Sequence, residues 1–267
     1  MGRYSLRHLL LAAAALVAVP AITIAAKPLP NPGLLTAVAD PQRSEADRAR
    51  DKYRHPVETL EFFEVQPTQT VVEYQPGGGW FTAILAPMLR EKGSYIAMPG
   101  EKGAANFKAL AEKNVGFWGP VTVHAFSATA PSTIPAGTAD RVLTFRNVHN
   151  MIMAGEPVAA KAFGDFFAAL KPGGILGVED HRLPEDKDSA LEKSSGYIKK
   201  STVIRLATAA GFKLVGESKV NANPKDTHDW PDGVWTLPPT YKLGDKDRAK
   251  YQAIGESDRF LLKFVKP

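Results

Sequence analysis

The stretch 71-VVEYQPGGGWFTAIL-85 sets a β-branched apolar run, three consecutive glycines and an amphipathic run side by side. This order predicts a strand, a tight turn and a helix in immediate succession. Glycines at such a turn let backbone amides approach a ligand with no Cβ in the way. A helix starting near Trp80 turns its N-terminal amides and dipole toward the same point. Glu73, at the carboxyl end of the strand, has the wrong charge for a phosphate and suits a cationic or hydroxyl-bearing ligand. The plainer reading is a glycine turn needed only for packing. The spacing is not that of a phosphate loop, since no Gly-Lys-Ser/Thr follows. Nor is it the dinucleotide pattern, because Thr82 occupies the third glycine's place.

Working outward, the same alternation continues on both sides. Upstream, residues 44–54 open with a Ser-x-x-Asp cap-like start, and residues 56–65 begin with proline and carry Leu60, Phe62 and Phe63 on an apolar face. Downstream come strand-like runs at 94–98, 121–126, 141–148 and 171–180, with helical stretches near 104–113 and 156–170 between them. Strands and helices alternating at this spacing specify an α/β fold, an open and mostly parallel sheet with helices on both faces. Two late runs, 211–220 and 258–267, predict an antiparallel hairpin at one sheet edge. Between them, residues 221–257 are rich in Pro, Asp and Trp and read as a lid or binding loop, or as a surface wrap with its aromatics tucked into the core.

Four segments carry a resemblance to a known family. Residues 73-EYQPGGG-79 resemble the acidic-x-Gly-x-Gly-x-Gly motif of class I S-adenosylmethionine-dependent methyltransferases. The stretch 135-PAGTADRVLTFRNVHN-150 resembles their fourth-strand segment, 170-LKPGGILGVEDHR-182 the turn into their fifth strand, and 196-GYIKKSTVIRLATAAGFKLVGES-218 the helix and Gly-Phe turn before their sixth. The matches occur in the family's order over residues 60–220 and are closest to a group of signal-bearing bacterial methyltransferases. The resemblance implies a Rossmann-like, seven-stranded, mostly parallel sheet with an antiparallel last strand, and S-adenosylmethionine as cofactor.

It also implies roles for particular residues. Gly77 and Gly79 would meet the methionine part of the cofactor, with Glu73 taking its ammonium and Tyr74, Gln75, Trp80 and Asn147 around it. Gln75 departs from the motif by replacing its first glycine. The second strand ends Ala97-Met98-Pro99, where the family has an acid for the ribose hydroxyls; Glu101 substitutes only if the loop folds back. These departures motivate an alternative, a non-catalytic binding protein that kept the fold. Methyl transfer from a sulfonium is an in-line displacement, so alignment and water exclusion are the protein's main task. His149 with Asn150, and Asp180 with His181, follow the fourth and fifth strands, where sheets of this type bind ligands. His149, Asp180 and His181 are the catalytic candidates; the competing reading makes each histidine a hydrogen-bonded structural residue. Arg146, Asn150, Trp230, Trp235 and Tyr241 are the candidates for binding the acceptor. No His-x-x-x-His or similar spacing supports a metal site, and none is expected.

The composition is that of an ordinary globule: 44% hydrophobic, 23% charged, in 267 residues. A net charge of +5 includes Arg3 and Arg7, and no basic run with interleaved aromatics suggests nucleic acid. Residues 1–26 have the basic-then-apolar layout of an export signal, with Ala25 and Ala26 as a small-residue cleavage site; retained, the segment is an anchor and the sole membrane contact. Residues 27–41 read as a Pro-rich linker, and 42–267 as a single domain. The chain contains no cysteine, which removes disulfides and thiolate chemistry and fits an oxidising compartment. The expectation is an exported methyltransferase, periplasmic or secreted, acting on a small molecule or a cell-envelope component.

Overall fold

The computed structural model describes residues 31–267, together with Met1. The expected signal segment lies outside the described residues. Among those described, no helix is long and apolar enough to cross a membrane.

Four short helices come first: α1 (Pro32–Ala39), α2 (Glu45–Arg48), α3 (Asp51–Arg54) and α4 (Pro56–Phe62). The alternating part follows as β1 (Thr70–Tyr74), α5 (Thr82–Leu89), β2 (Ser94–Met98), α6 (Glu101–Lys113), α7 (Val115–Trp118) and β3 (Thr122–Val123). It continues through β4 (Ala139–Phe145), α8 (Val148–Ala154), α9 (Glu156–Ala169) and β5 (Leu170–His181). The chain ends with α10 (Lys200–Ala209), β6 (Lys213–Ser218), α11 (Arg248–Ile254) and β7 (Arg259–Val265).

The seven strands form one sheet in the order β3-β2-β1-β4-β5-β7-β6. All pairings up to β4–β5 are parallel, and β7 runs antiparallel to both β5 and β6. The late pair therefore differs from a simple edge hairpin: β7 is inserted beside β5, and β6 forms the edge. Side-chain alternation splits the core into two layers. Val72, Tyr74, Ile96 and Val142 pack on one face with α8, α9 and α10. Val71, Tyr95, Ala97, Leu143 and Phe145 pack on the other with α1, α4 and α5. Gly177 is required in β5, because a Cβ there would lie 2.6 Å from the Phe63 ring and 2.8 Å from Leu143.

Three expectations are corrected. Residues 32–39 of the presumed linker form a helix, N-capped by Asn31 and with Leu34 and Ala37 buried against the sheet layer. The strand expected over 121–126 shortens to two residues, extended by an isolated bridge from Phe126 to Gly100. Trp80 and Phe81 precede the helix, which starts at Thr82.

Candidate functional site

The strand order reverses between β1 and β4, so the loops after these strands diverge and open a crevice at their carboxyl ends. The glycine turn forms one wall. Gln75 has φ 51°, Gly77 φ 59° and Gly79 φ 83°, so Gln75 holds the left-handed conformation that the motif's first glycine would supply. A Cβ built on Gly77 or Gly78 meets nothing within 4 Å, leaving open space in front of the turn. Gly79 is different: a Cβ there would lie 2.7 Å from the Trp118 ring, which makes it a packing glycine. Gln75 also reaches the end of β2, where its Oε1 accepts from the Gly100 amide at 3.2 Å.

A cavity of about 360 Å³ opens beside this turn, lined by Tyr74, Gln75, Phe126, Asn147, Asn150 and Met151. Asn147 is fixed there by Nδ2 donating to the carbonyls of Phe145 and Tyr74 at 3.1 and 3.3 Å. A second cavity, of about 240 Å³, is lined by Arg50, Arg54, Arg146, His149, His181 and Trp235 among others. Asn150 lines both cavities and so marks where they adjoin.

The buried chemistry of the second cavity centres on Asp180. Its Oδ2 accepts from the backbone amides of Val148 and His149 at the start of α8, at 2.7 and 3.2 Å. Its Oδ1 accepts from the His181 amide at 2.8 Å and meets His149 Nδ1 at 2.7 Å. With both oxygens accepting, Nδ1 is the donor toward Asp180 and Nε2 lies on the other side of the ring. His181 Nδ1 pairs with the Ser257 hydroxyl, and the two imidazoles are 5.1 Å apart. Burial, the neighbouring His149 and the surrounding arginines hold the His181 pKa well below the ordinary histidine value, so its ring is neutral at pH 7. Ligand-type atoms of His149, Asp180 and His181 lie within 4.8 Å of one another. The Asp180 oxygens are taken up by N–H donors, however, so the cluster reads as a histidine–carboxylate dyad instead of a cation cage.

Several expected site residues lie elsewhere. Glu73 is buried under α5, bonded to Tyr95 Oη at 2.6 Å and Thr82 Oγ1 at 3.1 Å, and lines neither cavity. Burial raises its pKa to about 7, the two hydroxyl donors offsetting part of the shift. Trp80 packs under Arg54 and Arg43, its Nε1 donating to the Asp47 carbonyl. Glu101 is exposed at the start of α6 and lines neither cavity. Trp230 donates to Asp226 and packs with Leu183, Tyr197 and Val234, while Tyr241 stacks on Arg248; both hold the 221–257 segment in place. Asp226 also accepts from Tyr197 Oη and the Asp258 amide. Arg50, Arg54 and Glu256 were not singled out from sequence, since no motif surrounds them.

No family model and no curated relative matches the chain. Solved structures do. A S-adenosylmethionine-dependent methyltransferase from Aquifex aeolicus superimposes over 82% of this chain and 93% of its own, at TM-score 0.56 and 18% identity. The fold is that of the class I methyltransferases. The [4+2]-cyclase SpnF is similar over 88% of this chain and 91% of its own (TM-score 0.54, 17% identity). Phosphoethanolamine N-methyltransferase 2 of Haemonchus contortus, solved with S-adenosyl-L-methionine, matches over 80% of this chain and 53% of its own (TM-score 0.53, 16% identity). SpnF, a cyclase, shows that the methyltransferase fold alone does not dictate methyl transfer.

Proposed function

We propose that the protein is a S-adenosylmethionine-dependent methyltransferase, with cofactor in the cavity beside the glycine turn and acceptor in the cavity beside His149. The observation that carries this reading is the pair of adjoining cavities, sharing Asn150, at the topological switch of a methyltransferase fold. The residues fit such a cofactor: open space before Gly77 and Gly78, left-handed backbone at Gln75, amides from Asn147 and Asn150, and apolar walls from Tyr74, Phe126 and Met151. When bound, the cofactor supplies an electrophilic methyl group, which an acceptor lone pair takes while the C–S electrons stay on sulfur. His149 Nε2 is placed to receive the acceptor's proton, and Asp180 stabilises the imidazolium that results. His181 stays neutral and helps to shape the cavity. Trp235 packs edge-on to His149 at 6.3 Å and shields it from water. With Glu73 sequestered, carbonyl oxygens of the turn take over the acceptor role that the motif gives to its acid.

The basic-then-apolar opening of the chain supports export, which N-terminal sequencing of protein from its native compartment tests. Calorimetric titration of the protein with S-adenosylmethionine and with its demethylated product tests the cofactor. Binding is expected, weakened at least about tenfold by Gly77→Val, which puts a branched Cβ at positive φ in the glycine turn beside the cavity. Absence of heat with both compounds at concentrations well above micromolar favours the non-catalytic alternative, motivated by Gln75 and the buried Glu73.

A further inference from the structure

The second cavity is unusually rich in guanidinium groups for a space so sheltered. Arg50, Arg54 and Arg146 line it, and Arg259 lies buried directly behind. Glu256 is shared by Arg50, Arg54 and Arg259 at 2.7, 3.3 and 3.1 Å. Glu179 is shared by Arg146 and Arg259 at 3.5 and 3.3 Å. Four cations thus face three carboxylates once Asp180 is counted, itself held by His149 and three backbone amides. Removing an unbalanced charge from water is costly, so this excess favours a counter-anion.

The donors left over show where that anion sits. Arg259 gives Nη1 to Glu256 and Nη2 to the Tyr53 carbonyl, its Nε lying buried without a hydrogen bond, and Arg54 gives Nε to Glu256 over the Trp80 ring. Arg50 gives Nε to Glu256, but its Nη2 is buried with no partner. Arg146, held at φ 61° in the turn after β4, makes a single long contact to Glu179 at 3.5 Å. Both guanidiniums border the cavity that His149 borders. Burial, joined by repulsion from neighbouring arginines, depresses the pKa of Arg54 and Arg146, as expected where cations outnumber anions.

We propose that this cavity recognises an acceptor through an oxyanion group, a carboxylate or a phosphate, held by Arg50 and Arg146 beside His149. Resting on the methyltransferase reading, this narrows the acceptor to a small anionic molecule, or the anionic end of a larger one. The planar forks of arginine match two oxygens at once, which a lysine would not. The cavity's 240 Å³ corresponds to roughly eight waters at about 30 Å³ each, and Trp235, Pro238 and Pro239 close it on one side. An acceptor anchored by its anion would present a hydroxyl or amine to His149 Nε2.

Calorimetry on the whole chain at low ionic strength, without cofactor, tests this with two probes. Inorganic phosphate represents one source of the oxyanion and benzoate the other. At least one is expected to bind one-to-one with a Kd of about 1 mM or tighter. Arg146→Gln and Arg50→Gln should each weaken it at least about tenfold, whereas Arg205→Gln, on the surface and paired with Glu156, should not. Arg146→Lys keeps the charge without the fork; should the Gln variant fail to fold, weakened binding by the Lys variant sustains the proposal. Binding of neither probe, or equal binding by parent and folded Arg50 and Arg146 variants, overturns it. A parallel titration with S-adenosylmethionine separates the two readings. Cofactor binding without probe binding removes the oxyanion site and leaves the methyltransferase. Probe binding without cofactor binding does the reverse.

Discussion

Glu73, near the end of β1, and Glu256, in the wall of the arginine cavity, are both buried glutamates, and their surroundings drive them in opposite directions. Burial raises the Glu73 pKa to about 7, because two hydroxyls are weak compensation for lost water. Burial acts on Glu256 as well, but Arg259, Arg54 and Arg50 outweigh it and hold that carboxyl at about 2. Desolvation is common to the two sites; the cations within reach decide the sign. One acid has been absorbed into the sheet's core although the motif would place it on a ligand. The other, with no motif around it, organises the cations of the proposed acceptor site.

The comparison is most severely tested at Glu256. Glu256→Gln leaves buried guanidiniums without their shared charge, and urea unfolding at pH 7 should show a loss of about 3–5 kcal/mol. A loss below about 1 kcal/mol would mean that the arginines are solvated without it. In the parent, this depressed-pKa contribution is present above pH 4.5 and disappears as pH falls through about 2.

Glu73 should behave in the opposite sense. Its folded pKa is raised, so the parent keeps its full stability below pH 4.5 and loses some as pH rises through about 7. Glu73→Gln has no charge to bury. Its stability should equal the parent's at pH 4 and exceed it at pH 8 by up to about 3 kcal/mol. Parallel stability–pH curves for the two proteins would break the contrast.

The smallest effect is expected at Gln75. Gln75→Gly fits a backbone already at positive φ and should change stability by no more than about 1 kcal/mol, while Gln75→Val should cost about 1–2 kcal/mol. Equal melting temperatures for Gly and Val variants would show that the left-handed turn relaxes.

Much of the fold was legible because local patterns carried it. The TVVEY and SYIAM runs at 70–74 and 94–98 became β1 and β2, and the Leu-Lys-Pro-Gly-Gly run forms the start of β5. The candidate site was legible in part. His149, Asp180 and His181 do converge, because adjacent parallel strands β4 and β5 end together. Glu101, Trp80, Trp230 and Tyr241 line neither cavity, and an aromatic or acidic residue near a loop does not reveal in sequence which way its side chain turns. The linker reading of 27–41 missed α1, since proline at the first turn of a helix resembles proline in a linker.

The sequence by itself determined the alternation of strands and helices, the glycine turn after β1 and the absence of thiol chemistry, because each depends on residues close along the chain or on composition. Only the tertiary structure decided that Glu73 faces the core, that Asn150 joins two cavities, and that Arg50 and Arg54 meet Glu256 across 206 and 202 residues of chain. Those contacts arise where the N-terminal helices close over the sheet's carboxyl edge. Charge balance there is a property of the packed structure, and no local spacing encodes it.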